Sequence, residues 1–488
     1  MSGQMATRRG FLTLSTALAG MLVGCAQGSG GEKSQQAATS ADTSAKRESI
    51  SCTEGGKHAI EVSGETKQYA AVDVTKSGDS DGDEADFYGT NAAVFATEKA
   101  TLDLDDVSVT TNGAHANAVF SYGEGTTVNV RKSTIETTGN CSGGIMVTGG
   151  GTLNAEDLTV HTTGNSSATI RSDRGGGIQN VTGGSYLTEG VGSPAIYSTA
   201  EVHVKSATLE SKASQGVVVE GKNSAELVDC TLTASNTKKN GDKSSWYQAV
   251  MIYQSMSGDA AQGEAGFTVQ GGSITNENGD LFFVNNTVAT IKLTNAKLTN
   301  NDANGVLLRA AAAGWGKEGS NGGHVTLTAA KQELAGTIVV DSVSSVNLYL
   351  TDGSTFRGAI NLEGASGQEY VEVADGCTWE LAADSFVTSL TCGADAIALN
   401  GHTLTVGESA YVAGTASTGS PIVVETTSSS GGQPGEPPEK PGGGSGGEPP
   451  EKPGGESGGE PPAKPDGAGS GSEPPTKPGN DSGNTSTK

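Results

Sequence analysis

The sequence predicts an all-β fold, a single-stranded parallel β-helix (β-solenoid) of roughly 10–13 coils. Three observations predict it. Short apolar strands recur about every 25 residues, a second apolar pattern with the period of a strand follows each of them, and the composition does not suit ordinary globular cores. The chain has 488 residues with 73 glycines, 34% hydrophobic residues and only 5% aromatics. Length alone would allow about three domains. A thin tube needs only inward-pointing aliphatics, so it tolerates this composition where a stack of globular domains would not.

The first strand of each unit carries a small residue at its head. It is read at Ala93-Val94-Phe95, Ala118-Val119-Phe120, Gly144-Ile145-Met146, Ala168-Thr169-Ile170 and Ala195-Ile196-Tyr197. The series continues at Gly216-Val217-Val218, Ala249-Val250-Met251, Asp280-Leu281-Phe282 and Gly305-Val306-Leu307. The steps are 25, 26, 24, 27, 21, 33, 31 and 25 residues. Inserts rich in Gly, Asn, Ser and Lys, such as 236–245, lengthen some of them.

The second element places apolar residues at a position, two later and seven later. Examples are Leu102, Leu104 and Val109; Val128, Val130 and Ile135; Val202, Val204 and Leu209; Phe267, Val269 and Ile274; and Ile291, Leu293 and Leu298. A spacing of two turns alternate side chains to one face of a strand, and the gap of five leaves room for a turn. Thr137-Thr138-Gly139-Asn140 and Thr162-Thr163-Gly164-Asn165 read as the turns that close units. Three short strands per unit, stacked about 4.8 Å apart, make one continuous apolar column. A β-sandwich array would predict longer strands and Pro-containing hairpins instead.

Both ends differ from this body. Thr7-Arg8-Arg9-Gly10-Phe11-Leu12 precedes an apolar stretch over 14–23 that is too short to span a bilayer. It resembles a bacterial twin-arginine export signal through Arg8 and Arg9, and Leu22-Val23-Gly24-Cys25 resembles a lipobox. The resemblance implies cleavage before Cys25 and a lipid on it, tethering the protein to the membrane on the extracytoplasmic, cell-surface side. At the other end, 13 of the 15 prolines lie between Pro434 and Pro478, in repeats such as Glu436-Pro437-Pro438-Glu439-Lys440-Pro441. Such a segment reads as disordered polyproline II and glycine-rich coil. The expected organisation is a signal over 1–24, a flexible linker over 25–50, a cap and first coil over 51–90, the β-helix body over 91–370, a C-terminal strand end over 371–426 and the tail over 427–488.

A net charge of −25 argues against a partner held through phosphates, so no nucleic acid is expected. Apart from Cys25 there are five cysteines, at 52, 141, 230, 377 and 392, with no zinc spacing. Cys377 and Cys392 would pair only if the chain turned back between them, and Cys141 and Cys230 read as small residues at repeat positions. The histidines show no triad or metal spacing.

The body resembles the right-handed parallel β-helix superfamily of pectate lyases, polygalacturonases and bacterial surface adhesins. More narrowly it is similar to adhesin-like surface lipoproteins. Asp86-Phe87-Tyr88-Gly89-Thr90-Asn91, Arg171-Ser172-Asp173-Arg174-Gly175-Gly176-Gly177 and Gly192-Ser193-Pro194-Ala195-Ile196-Tyr197 carry the resemblance.

Aligning the units puts Arg171, Asp173 and Arg174 at an outward strand end, with Tyr122, Glu220, Tyr253 and Arg309 at the corresponding edge of other coils. Arginine forks there would grip a carboxylate or sugar acid while tyrosines stack on sugar rings. The competing reading pairs the arginines with Asp86 or Asp173 to seal a coil edge. The acidic run Asp79, Asp81, Asp83 and Asp86 is a candidate structural calcium site, although it fails the EF-hand spacing; no other cofactor is expected. The polygalacturonase elements Asn-Thr-Asp, Gly-His-Gly and Arg-Ile-Lys are absent, and no catalytic residue is assigned. The reading is a non-enzymatic surface protein for adhesion or glycan binding, on a polysaccharide or a host or cell-wall glycan. A polysaccharide lyase or glycoside hydrolase is the alternative, and a structural envelope stalk the third.

Overall fold

The computed structural model describes residues 47–424, apart from 81, 240–242, 244, 245, 256 and 365. The export signal with Arg8 and Arg9, Cys25, most of the linker, Asp81, the side chain of Asp83 and the tail over 427–488 lie outside the described residues.

The fold is a parallel β-helix. Successive coils lay strands into three long parallel sheets, termed A, B and C, of 10, 14 and 13 strands. This puts the coil number at the upper end of the expected range. Sheet B takes the first strand of each unit, so Val94 pairs with Val119, then Ile145, Ile170, Ile196, Val217 and Val250. Sheet C takes the apolar doublets, Leu102 and Leu104 against Val128 and Val130. Sheet A takes the third position, Val109 against Ile135. These side chains point inward and form one aliphatic column.

Three of the expected strand heads are displaced. Ile145 pairs with Ile170, which makes Thr169 rather than Ala168 the head. Val250 pairs with Phe282, so Leu281 and not Asp280 occupies the position, and a register shift at Val306 moves the next head to Leu307. A long insert precedes only the second of these strands, and at the third the irregular pairing between Val306 and Leu308 shifts the register.

The turn from sheet A to sheet B explains the Thr-x-Gly repeat. Thr162 Oγ1 donates to Ser167 O at 2.5 Å and Ser167 Oγ donates to Gly139 O at 3.1 Å, tying one turn to the turn beneath it. The same pair of bonds recurs from Thr137 and Ser142 and from Thr188 and Ser193. Glycine is required because the turns nearly touch: a Cβ on Gly164 would lie 1.9 Å from Gly139 O.

Sheet A ends with Lys297–Asn300. From Val306 to Val373 each coil contributes to sheets B and C alone, through longer strands such as Gly323–Ala330 and Glu333–Val340. At the N-terminal end the first strand is Glu48–Cys52, paired with Val72–Lys76, so the first coil takes in residues ahead of Ser51. At the C-terminal end residues 411–422 run beside sheet C, where Ile422 exchanges two hydrogen bonds with the Asn347 side chain, at 2.8 and 3.0 Å. Cys377 and Cys392 are both buried and free, so they do not form the disulfide considered above. Among the described residues no helix is long and apolar enough to cross a membrane.

Candidate functional site

Alternate residues of each sheet B strand point outward, and the register lines them up in rows. One row runs Phe120, Met146, Arg171, Tyr197, Val218, Met251, Phe283 and Arg309. An outward apolar row must be covered, and it is covered at both ends. The short helix α1, Asp83–Tyr88, lies over the N-terminal end, where Ala92, Phe95, Phe120 and Met146 form a buried cluster edged by Tyr122. The helix ends at Gly89, whose left-handed φ of 70° turns the chain down onto the Phe95 and Phe120 rings, and Thr148 Oγ1 donates to Phe87 O at 2.6 Å. At the other end Trp246 and Trp315 cap a cluster of Val218, Met251, Tyr253, Phe283 and Ala311.

Between the two covers lies a cavity of about 320 Å³, lined by Asp86, Phe87, Ser166, Arg171, Asp173, Pro194, Tyr197, Tyr253 and Asp259 among others. Arg171 is buried, and both arms of its guanidinium are occupied, Nη1 by Asp86 Oδ1 and Nη2 by Asp173 Oδ2, each at 3.2 Å. Burial works against its charge, but Asp86 and Asp173 outweigh that and raise its pKa. Asp173 responds in the opposite sense: burial pushes its carboxyl up to about 6 against the pull of Arg171. Arg174 lies over the Phe87 ring at 3.9 Å and pairs with Asp259 at 2.6 Å, linking α1 to the loop after Tyr253. One row across, Glu220 Oε2 accepts the hydroxyls of both Tyr197 and Tyr253, the latter at 2.8 Å, while its buried Oε1 has no hydrogen-bond partner. Burial raises both tyrosine pKa values well above normal, so the hydroxyls stay protonated donors.

Of the residues singled out in the sequence, Arg171, Asp173 and Tyr253 line this cavity, Glu220 lies behind it and Arg174 closes its edge. Tyr122 belongs to the N-terminal aromatic cluster, stacking with Phe95 at 6.4 Å. Arg309 belongs to the far end, paired with Asp280 at 2.6 Å and placed over the Trp246 ring at 4.4 Å. The sealing role weighed for the arginines is present in the Arg171 pairs. In the acidic run, Asp79 Oδ1 accepts from Ala114 N at 2.8 Å, whereas Asp86 is engaged with Arg171 and with His115 Nδ1 at 3.0 Å. The two thus have separate partners, and residues 83–88 of the run form the helix α1.

Sequence reasoning missed Asp259 and the part Tyr197 plays. Asp259 sits in an insert with no place in the repeat. Tyr197 was legible as the outward neighbour of Arg171, one coil on.

The chain matches no protein-family model, no curated protein and no solved structure.

Proposed function

We propose that this protein is an exported, lipid-anchored β-helix of the cell surface that binds a neutral glycan in the cavity over the middle of sheet B. The twin-arginine and lipobox resemblances of residues 7–25 support the address, with Cys25 as the lipid attachment. The right-handed, pectin-lyase-like kinship and the adhesin-like role belong to the same proposal.

One observation carries the ligand class. The cavity combines Tyr197, Tyr253 and Pro194 with three carboxylates, and these carboxylates outnumber the two arginines paired with them, Arg171 inside the cavity and Arg174 at its edge. Carboxylates accept the hydroxyl donors of a sugar, and aromatic faces cover its C–H surface. A sugar acid would find no free guanidinium and would face like charge. The neutral class therefore replaces the acidic ligand that the arginine cluster suggested in the sequence. A glycan array carrying neutral and acidic oligosaccharides tests this. The protein should retain neutral glycans, and Tyr197→Ala should weaken binding about tenfold, roughly 1.4 kcal/mol for one aromatic contact. Retention of acidic glycans alone would refute the reading.

A second reading, a glycoside hydrolase, draws on Asp173, whose carboxyl at about 6 is poised as a general acid beside the cavity. It requires release of reducing ends from a bound polysaccharide and loss of that release in Asp173→Asn. Binding without release leaves the protein a binder.

A further inference from the structure

We infer that Asp86, His115 and Cys141 form a zinc site at the rim of the sheet B cavity. The three side chains come from separate parts of the chain: α1, the turn before Val119–Tyr122 and the turn before Ile145–Thr148. One potential ligand atom from each lies within 4.8 Å of the other two. His115 and Cys141 occupy the same position of successive turns. Both have a left-handed φ, 55° and 56°, and each donates its N–H to the next coil, to Asn140 O and Asn165 O. The coil repeat itself therefore stacks imidazole over thiol, and α1 brings the carboxylate across to them.

The donor set is a mixture of nitrogen, sulfur and oxygen, which suits zinc and leaves a fourth position for water. Small side-chain movements would bring the three atoms to zinc-binding distances. Bond lengths of 2.0–2.3 Å in a tetrahedron put ligand atoms about 3.3–3.6 Å apart. Asp86 Oδ2 and His115 Nδ1 are already 3.0 Å apart, so the ion would replace the proton between them with a small outward movement. The outer contacts are also in place. Arg171 Nη1 holds the other oxygen of Asp86 at 3.2 Å and donates to the carbonyl of Cys141 at 3.2 Å, which orients two of the three ligands. Asp86 also lines the cavity, so bound zinc would tie the helical cover to two coil turns at the wall of the proposed glycan site. The metal inference does not depend on the glycan reading, because Tyr197 and Tyr253 stand apart from these ligands.

The test uses the full exported chain and zinc or cobalt ions. Chelator competition should find zinc bound tightly, and His115→Ala and Cys141→Ser should each weaken it by at least about tenfold. Cobalt(II) should show a near-ultraviolet thiolate charge-transfer band that Cys141→Ser removes. In the unaltered protein, peptide mapping by mass spectrometry should show zinc protecting Cys141 from alkylation, with reactivity restored by EDTA. This last measurement stands even if a variant misfolds. Equal alkylation of Cys141 with and without zinc, or zinc affinity unchanged in both variants, would overturn the assignment.

Discussion

Replacing Gly164 with alanine should destabilise the body by about 3 kcal/mol, and the figure follows from the stacking of turns. The new Cβ would lie 1.9 Å from Gly139 O, 2.5 Å from Gly139 C and 2.9 Å from Ser167 Oγ. The first of these atoms belongs to the backbone of the coil below, so the coils must separate locally by about 1 Å or more to reach van der Waals contact. Three hydrogen bonds span that joint: Ser167 Oγ to Gly139 O at 3.1 Å, Thr163 N to Thr137 O at 2.9 Å and Asn165 N to Asn140 Oδ1 at 3.0 Å. At about 1 kcal/mol net for each, their loss gives the estimate. Gly393→Ala is the control, since its Cβ meets nothing within 4 Å and its φ is not in the left-handed region. It should be neutral or stabilising by up to about 1 kcal/mol, through the unfolded chain. Urea denaturation of both variants measures the difference. A Gly164→Ala midpoint equal to that of Gly393→Ala would refute the close stacking of turns.

Val204 is enclosed in the column between Val181 and Leu227, and Val204→Asp should cost about 4 kcal/mol or more in the same denaturation assay. Glu369 is buried beside Asn361 and Thr388, and burial pushes its carboxyl up to about 7 from 4.5. A carboxyl raised in the folded state contributes stability below about pH 4.5 that is lost as pH rises through about 7, so Glu369→Gln should gain up to about 3 kcal/mol over the unaltered protein across that window. A difference independent of pH would contradict this. Cys25→Ala should move the protein from the membrane fraction to the soluble fraction, or leave it unprocessed; unchanged fractionation would argue against a lipid there.

Most of the tube was legible because its core obeys a simple count. Leu102 and Leu104 mark a strand by their spacing, and Val109 marks the next one across a turn. Counting failed where inserts intervene, as before Leu281, and at the irregular pairing of Val306 and Leu308. The cavity was half legible. Asp173 follows Arg171 by two residues, just past the end of the strand Ile170–Ser172, so their common outward direction follows from a period of two. Asp86 and Asp259 reach them from segments outside the repeat, each 85 residues from its arginine, and no local pattern carries that distance. His115 and Cys141 were hidden for a different reason. They are one coil apart, but aligning the units on strand heads draws attention away from the turns, where their side chains meet.

The central claim, that the cavity over the middle of sheet B is the ligand site, is tested most directly by hydroxyl-radical footprinting of the protein with and without a neutral glycan retained on the array. The account expects protection to concentrate on Pro194, Tyr197 and Tyr253, with the outer faces of sheets A and C unchanged. Protection confined to sheet A or sheet C, with Tyr197 and Tyr253 as reactive as in the free protein, would contradict it.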